Sequence, residues 1–132
     1  MGLRVETNPA LFDMDRIVAF IQGSYWGAGR SAEDIKRAFS ASCVVGLFDE
    51  DKQLGMARAV SDGVYSAFIY DLFVFEDYRG HGHARRLMDA LMAHPELCRV
   101  RGWMLATRDA HGLYAKYGFA PVDPGRYMAM SK

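Results

Sequence analysis

One segment constrains the fold of this chain more than any other. An apolar run over residues 67–75 breaks at a charged turn and leads at once into a glycine turn and a helical pattern. Apolar runs of this length, bounded by turn signals, are typical of a buried strand. The turn reads Arg-Gly-His-Gly-His-Ala over residues 79–84, and the pattern after it places Leu87, Met88 and Leu91 on one face. Because a helix N-terminus directs its backbone N–H groups outward, this βα unit predicts an anion-binding turn.

Length and composition favour an ordinary globular domain. The 132 residues are 51% hydrophobic and 24% charged, which fits a single domain over residues 1–132. Sixteen basic residues balance sixteen acidic ones, so we expect neither nucleic acid nor a membrane as a partner. The chain shows no signal-peptide pattern and no apolar run of membrane-spanning length, which predicts a cytoplasmic protein.

The two cysteines, Cys43 and Cys98, fall in no metal-ligand spacing and are too few for a disulfide scaffold. Reduced cysteines are typical of cytosolic proteins. Cys43 lies in an apolar run and is expected in the core. We therefore expect no metal site from the cysteines.

Two helices are predicted near the start of the chain. The first covers residues 13–22, and the second begins after Ser31, which opens a capping-box pattern. Between them, residues 23–30 hold three glycines around Tyr25 and Trp26. This composition suits a loop that covers a site. It suits equally a mobile surface loop whose tryptophan packs on the core edge.

Strand patterns follow the helices. Residues 43–48 and 55–61 are predicted to form a hairpin whose acidic loop has four or more residues. The turn signal Asp62-Gly63 then leads into a long strand over residues 66–75.

The last third of the chain adds a crossover. A strand over residues 103–107 follows the helix after the glycine turn, which implies a parallel, right-handed connection. A short helix over residues 109–117 would end at Gly118, and residues 119–130 would supply a final strand or hairpin. Four early strands with hairpin-like links and one parallel crossover predict an α+β fold with a mixed, mostly antiparallel sheet and flanking helices.

A parallel crossover also indicates where a ligand binds. In open sheets, ligands lie beyond the carboxyl ends of the parallel strands. That edge carries the turn of residues 79–84 and, near it, Thr107 and the helix with Tyr114. The turn lacks the Lys-Ser/Thr pair of a triphosphate-binding loop and the third glycine of the dinucleotide fingerprint. These departures argue against a kinase, a nucleotidase or a nicotinamide enzyme.

Two motifs together resemble the GNAT superfamily of N-acetyltransferases. Residues 79–84 match its (Gln/Arg)-x-x-Gly-x-(Gly/Ala) signature, and residues 110–119 match its second signature of an alanine, a Leu-Tyr pair and a terminal Gly-Phe. The resemblance covers roughly residues 43–130. It implies the acyl-CoA N-acyltransferase fold and an acetyltransferase that uses acetyl-coenzyme A to modify an amine.

The resemblance also implies where the coenzyme binds. Its pyrophosphate would lie on the backbone N–H groups of residues 80–84, with the rings of His81 and His83 exposed. The strand over residues 72–75 would splay from its parallel neighbour and bond the pantetheine arm, although the same pattern suits a pure core strand. A metal role for the His-x-His pair lacks an evident partner. The implied cofactor-binding residues are Leu72, Phe73, Val74, Arg79, Gly80, His81, Gly82, His83, Ala84, Thr107, Tyr114 and Tyr117.

Tyr114 matches the family's general acid. A phenol beside the thioester sulfur can donate its proton as the thiolate leaves. The alternative is a tyrosine that packs on the inner side of its helix. The attacking amine must also lose a proton, and the candidates are Asp71, Glu76 or a relayed water. Asp71, an acid inside an apolar run, suits a structural hydrogen bond equally.

The resemblance places substrate contacts at Tyr25, Trp26 and Arg30. Two aromatics and one arginine suit a small amine that carries a carboxylate or an aromatic group, or a peptide end. A non-catalytic acyl-coenzyme A sensor on the same fold is the competing interpretation.

The chain departs from the family pattern in two places. Thr107 stands where many members have asparagine, although its hydroxyl can still bond the pantetheine arm. The segment 119–132 is short, which predicts a reduced last hairpin. The acceptor site would then stay open, or a second subunit would complete it in a homodimer.

Overall fold

Five strands form one mixed sheet in the computed structural model, which describes residues 2–108 and 110–132. The strand order follows the chain, with antiparallel pairs up to the fourth strand and a parallel pair between the fourth and fifth. The strands are β1 (Leu3–Glu6), β2 (Cys43–Asp49), β3 (Lys52–Ser61), β4 (Ser66–Val74) and β5 (Gly102–Leu105). The predicted α+β fold with one parallel crossover is confirmed.

Four helices flank the sheet in the described residues: α1 (Met14–Gly23), α2 (Ala32–Ser40), α3 (His83–Met92) and α4 (His111–Ala115). The predicted cap at Asp13 accepts the N–H of Arg16 at 3.3 Å, and the predicted cap at Ser31 accepts the N–H of Asp34 at 3.1 Å. These side chains satisfy N–H groups that a helix start leaves unpaired. None of these helices combines the length and apolarity needed to cross a membrane.

The core has two layers, one on each face of the sheet. Ile17 and Ile21 of α1 and Ile35 and Phe39 of α2 pack on one face. Residues of α3 with Leu97 and Tyr114 pack on the other. Because both faces are covered, successive residues of β2 and β3 are buried, which explains why these strands are apolar without alternation.

The hairpin between β2 and β3 is tighter than predicted. Asp49 pairs directly with Lys52, so only Glu50 and Asp51 form the turn. Glu50 has φ 54°, a positive value of the kind that the first central residue takes in the favoured two-residue hairpin turns. The predicted loop of four or more residues was therefore wrong, because charged residues at the exposed end of a hairpin can still pair. The sequence had also assigned no range to β1.

The predicted final strand or hairpin is not formed in residues 119–132, all of which the structure describes. This segment is irregular and mostly exposed. Pro121 and Pro124 lack the N–H donor that a central ladder needs, and Gly125 disfavours a strand. As a result, β5 lies at the edge of the sheet.

The segment before this tail also differs from its prediction. β5 ends at Leu105, two residues earlier than expected, and α4 is shorter than the predicted helix. The predicted start of that helix, Asp109, lies outside the described residues. Gly118 has φ 91°, as its predicted role as a left-handed cap requires.

Candidate active site

The gap between β4 and β5 creates the site. β5 pairs with β4 only from Ser66 to Ile69, and its last residue, Leu105, is level with Ile69. β4 continues to Val74, paired with β3 but with no β5 residue beside it in the described sheet. The backbone of residues 70–74 therefore faces a wedge on its β5 side, as the splayed-strand expectation requires.

The glycine turn lies where β4 ends. Gly80 has φ 86° and Gly82 has φ 77°, and both values fall in the left-handed region that favours glycine. A Cβ at either position would meet open space, so backbone conformation, not crowding, explains the glycines. Arg79 is held by a 3.1 Å bond from its Nε to the Val74 carbonyl.

The N–H groups of residues 80–84 have no hydrogen-bond acceptor among the described residues. In the described part of the chain, none of them donates to a backbone or side-chain group. Gly82 is the N-cap of α3 and has no side chain to cap it. Unpaired N–H groups and the positive end of the helix dipole together favour an anion at this turn.

The two histidines of the turn differ. His81 is exposed, as predicted, whereas the prediction of an exposed ring was wrong for His83, which is half-buried. The Nδ1 atom of His83 is buried without a hydrogen-bond partner among the described residues. Burial, together with the nearby charges of Arg86 and His81, lowers the pKa of His83, and Asp49 opposes this shift. The ring is therefore neutral at physiological pH.

Two clefts meet at the wedge. One cleft, about 350 Å³, runs from Leu72–Val74 along the glycine turn to Ala110 and Leu113. We call it the coenzyme-side cleft, because the resemblance predicts the coenzyme there. The other, about 320 Å³, runs from the wedge to the loop between α1 and α2. We call it the acceptor-side cleft, because the resemblance predicts substrate contacts on that loop. Both clefts are lined by Leu72, Phe73, Arg79, Ala110 and Tyr114. A ligand lying in one cleft therefore reaches the other at these five residues.

Tyr114 is the predicted catalytic residue that lies at this junction. It is 9% exposed, and its ring meets Phe119 edge-on with the centroids 5.9 Å apart. It borders a third cavity, about 370 Å³, on the far side of α4 along the edge of β5. Tyr114 therefore packs on the inner side of its helix, as one alternative predicted, and its catalytic role stays a prediction.

The loop between α1 and α2 forms one wall of the acceptor-side cleft. Its Tyr25, Trp26 and Arg30 all line that cleft. Trp26 lies 6.3 Å from the ring of Phe73, and Arg30 lies 5.3 Å above Trp26. The loop thus borders a cleft, as a loop that covers a site would. It also packs its tryptophan on the core edge, as the other alternative predicted.

The structure adds Arg108 to the acceptor-side cleft, a residue that the sequence did not single out. Its guanidinium lies 4.8 Å from the ring centre of Tyr25. Among the described residues, Arg30, Arg79 and Arg108 line this cleft with a single acid, Asp71. The sequence did hold a signal for Arg108. It directly follows Thr107, at the sheet edge that was already expected to bind ligand.

Asp71 is buried in ion pairs. Its side chain is 1% exposed, and one oxygen accepts from Nε of Arg58 at 2.8 Å while the other accepts from Arg30 at 3.3 Å. Arg58 also donates to the hydroxyl of Ser42 at 3.1 Å. With both oxygens engaged, the geometry favours the structural role that the sequence left open. Glu76, the other acid considered, lies exposed in a short 3-10 turn after β4.

Thr107 and Tyr117 make contacts within the chain. The Oγ1 atom of Thr107 accepts the N–H of Ala110 at 3.1 Å and so fixes the turn before α4. The hydroxyl of Tyr117 lies 2.8 Å from Asp89 Oδ1 on α3. Burial and the bond to Asp89 raise the pKa of Tyr117. Thr107 lines the acceptor-side cleft, whereas Tyr117 lines neither of the two clefts.

Comparisons with known proteins agree with this architecture. A crystal structure of an inferred acetyltransferase of the GNAT family from Xanthomonas campestris pv. campestris is 36% identical, with a TM-score of 0.94 over 100% of this chain and 94% of that one. A GNAT-family acetyltransferase of Streptococcus pneumoniae, 22% identical over 98% of this chain and 96% of that one, shares the fold with a TM-score of 0.76.

Sequence relatives point the same way. An inferred acetyltransferase of Gibberella zeae is 27% identical over 85% of this chain and 75% of its own length. Serotonin N-acetyltransferase 2, a chloroplastic protein of Oryza sativa subsp. japonica, is 32% identical over 77% of this chain and 54% of its own length. The profile of the acetyltransferase (GNAT) domain matches residues 40–121. The chain therefore belongs to the GNAT family of acetyltransferases.

Proposed function

We propose that this acyltransferase moves the acetyl group of acetyl-coenzyme A to a primary amine of a small molecule or peptide, by direct attack of the amine on the thioester. The observation that carries the proposal is the meeting of the two clefts at Tyr114. One cleft ends at the glycine turn and the other at the aromatic loop. A thioester and an amine entering from opposite sides would meet beside a phenol.

The coenzyme side of the site fits acetyl-coenzyme A in its backbone chemistry. The unpaired N–H groups of residues 80–84 suit the pyrophosphate. The backbone of residues 72–74, without a β5 partner, suits the amides of the pantetheine arm, which would add to β4 like a strand. The coenzyme supplies an activated acetyl group, and the chain orients it.

Tyr114 is proposed as the general acid. As the amine nitrogen bonds to the carbonyl carbon and the carbon–sulfur bond breaks, the phenol gives its proton to the departing sulfur. The phenolate is then reprotonated from solvent through the acceptor-side cleft.

The amine proton has two proposed routes. A relayed water is favoured, because both oxygens of Asp71 are held by guanidinium groups. Direct removal by Asp71 is the alternative. An Asp71→Asn variant that folds and keeps the wild-type pH–rate profile would exclude the direct route.

The acceptor is proposed to carry an anionic group. Among the described residues that line the cleft, Arg30, Arg79 and Arg108 outnumber the one acid, Asp71, which is already paired. Guanidinium groups bind carboxylates through paired hydrogen bonds, and the rings of Tyr25 and Trp26 suit an apolar or aromatic side chain. An aromatic amine without a carboxylate is the second candidate, since the rice relative is named for serotonin.

A matched acceptor panel tests the proposal. Free-thiol release from acetyl-coenzyme A is measured with tryptophan, tryptamine and a dipeptide with a free N-terminus. We expect the carboxylate-bearing amines to be the better acceptors, and Arg108→Gln to raise their KM by roughly tenfold. Arg101→Gln is the control, because Arg101 also lies over a tyrosine ring, that of Tyr65, but lines neither cleft.

The panel also has contradicting outcomes. Faster turnover of tryptamine would replace the carboxylate hypothesis with the aromatic-amine one. Tight acetyl-coenzyme A binding by calorimetry, with no thiol release over any acceptor, would favour the non-catalytic sensor.

Three further parts of the proposal concern the whole chain. We propose that residues 1–132 act as one domain, since both helical layers pack on one sheet. A cytoplasmic location stays a prediction. We also propose a homodimer, because the edge of β5 is unpaired in the described chain and borders the cavity of about 370 Å³ next to α4.

A further inference from the structure

A second cluster of reactive side chains lies away from both clefts. Cys43 is the first residue of β2, and His94 and Glu96 follow α3 on the way to β5. Cys43 is level with Ile69 through Ala59, five strand residues, or roughly 16 Å, before the end of β4 at Val74. The glycine turn lies beyond that end, so the cluster is separate from the coenzyme cleft.

The donor atoms of the cluster already lie close together. Sγ of Cys43 is 3.6 Å from Oε2 of Glu96, and the ligand atoms of all three residues lie within 4.8 Å of one another. A tetrahedral zinc ion with Zn–S of about 2.3 Å and Zn–O of about 2.0 Å would hold its sulfur and oxygen ligands roughly 3.5 Å apart. The cysteine and glutamate are therefore at coordination distance, and the histidine nitrogen needs a shift of no more than about 1.5 Å.

The backbone holds His94 in place. Its carbonyl accepts the N–H groups of Leu97 at 2.8 Å and Cys98 at 2.9 Å, and the residue is 8% exposed. Its Nδ1 accepts the N–H of Glu96 at 3.1 Å. A metal would either replace this bond at Nδ1 or bind Nε2 after the ring proton moves to Nδ1, and both routes free the Glu96 amide.

The ligand types of Cys43, His94 and Glu96 indicate which metal suits the cluster. One thiolate, one imidazole and one carboxylate form the mixed S, N and O set that suits zinc, and three protein ligands leave a fourth position for water. The thiolate and the carboxylate together neutralise a divalent ion. Glu96 is exposed and Cys43 is half-buried, so one side of the cluster is open to solvent.

We propose that Cys43, His94 and Glu96 bind one zinc ion, with a water molecule as the fourth ligand. On binding, the thiol of Cys43 gives its proton to solvent and the sulfur–zinc bond forms, with no change of oxidation state. Burial and the charge of Glu96 raise the pKa of this thiol in the metal-free chain, as expected for a thiol beside an unneutralised carboxylate. The ion would link the start of β2 to the connection between α3 and β5.

Cobalt spectroscopy on the tag-free chain of residues 1–132 tests this site. Co²⁺ added to the reduced protein is expected to give a thiolate charge-transfer band and tetrahedral d–d bands that saturate at one ion per chain. Zinc should displace the cobalt at the same stoichiometry. The Glu96 amide signal in an NMR spectrum should shift on zinc binding, since its hydrogen bond to His94 is lost.

Matched variants assign the ligands. Cys43→Ser should abolish the charge-transfer band and weaken zinc binding at least tenfold, because loss of even an outer partner of a metal ligand costs about 10- to 100-fold. Glu96→Gln should also weaken zinc binding at least tenfold. Because the side chain of Glu96 is exposed, this substitution disturbs the fold least. Cys98→Ser is the control, since that thiol faces the Pro95 carbonyl at 3.6 Å and lies outside the cluster.

Three results would overturn the proposal. One is the absence of tetrahedral cobalt bands in the wild-type protein. Another is equal zinc affinity in the wild type and in folded Cys43→Ser or Glu96→Gln. The third is loss of binding in Cys98→Ser. Because these measurements need neither acetyl-coenzyme A nor an acceptor, they are independent of the acetyltransferase assay.

Discussion

Tyr114 and Tyr117 lie one helical turn apart but face different neighbours. Tyr114 borders both clefts, whereas the hydroxyl of Tyr117 contacts α3. If Tyr114 protonates the leaving sulfur, Tyr114→Phe should lower kcat by about 100-fold or more and leave acetyl-coenzyme A affinity within about twofold. Tyr117→Phe, the matched control, should keep wild-type turnover. Stopped-flow thiol release and calorimetry measure the two quantities, and unchanged turnover with rate-limiting chemistry would exclude the acid role.

The lowered pKa of His83 predicts that the free energy of unfolding depends on pH. Its pKa is lower in the folded chain than in the unfolded one, so the unfolded state binds more protons as the pH falls through the ordinary histidine range. The free energy of unfolding should therefore decrease from pH 7.5 toward pH 5.5. His83→Gln should show a smaller decrease than the wild type, and a change of the exposed His111 on α4, His111→Gln, should resemble the wild type. Urea titrations at both pH values measure this decrease in the free energy of unfolding. An equal decrease in His83→Gln and in the wild type would contradict the prediction.

The sequence revealed one member of the buried ion pair between Asp71 and Arg58 and not the other. Asp71 stood out as an acid within an apolar run, and a buried acid needs a partner. Arg58 was not identified, because the register that places it opposite Asp71 depends on a bulge between Arg58 and Ala59. Bulges depend on the pairing of two strands, and neither strand's own pattern predicts them.

At the scale of elements, the loop between α1 and α2 depends on one close approach. A Cβ at Gly27 would lie 2.4 Å from the Ile21 carbonyl oxygen, whereas a Cβ at Gly29 in the same loop would meet nothing within 4 Å. Gly27→Ala should therefore lower the free energy of unfolding by about 1–3 kcal/mol and raise the acceptor KM, because Trp26 moves. Gly29→Ala should change stability by no more than about 0.5 kcal/mol. Denaturant unfolding and acceptor kinetics measure both effects, and equal behaviour of the two variants would contradict a packed loop.

Elements with their own local signals were predictable. α1 and α2 begin at the predicted caps because Asp13 and Ser31 satisfy nearby N–H groups within the helix itself. The glycine turn was predictable for the same reason, since its conformation depends on Gly80 and Gly82. The short hairpin turn was not predictable, because pairing at Asp49 depends on what the neighbouring strand offers. The irregular tail did have a local signal, since Pro121, Pro124 and Gly125 disfavour a strand.

At the scale of the molecule, the short β5 links the fold to the chemistry. Because β5 ends level with Ile69, the wedge beside β4 exists and two clefts can meet at α4. The irregular tail adds no strand beyond β5, so the outer side of β5 is unpaired in the described chain. The early end of β5 therefore accounts for the proposed site, and its position at the sheet edge accounts for the proposed dimer.

The occupant proposed for the β5 edge is a second copy of this chain. An edge strand presents unpaired N–H and C=O groups that another strand can pair with. The tail of each copy carries large exposed apolar side chains, with Met128 98% and Met130 80% exposed. The cavity beside β5 is lined by apolar groups that include Trp103, Phe119 and Val122, so the tail of one copy complements the edge of the other.

Light scattering over a range of protein concentrations tests this arrangement. We expect twice the monomer mass at high concentration, falling toward the monomer on dilution. The double variant Met128→Glu, Met130→Glu should remain monomeric, because charged side chains cannot enter an apolar groove without a partner. Leu11→Glu, at an exposed apolar residue in the short 3-10 turn before α1, is the control and should dimerise like the wild type. A wild-type chain that stays monomeric at all concentrations would exclude the dimer and leave the acceptor-side cleft complete within one chain.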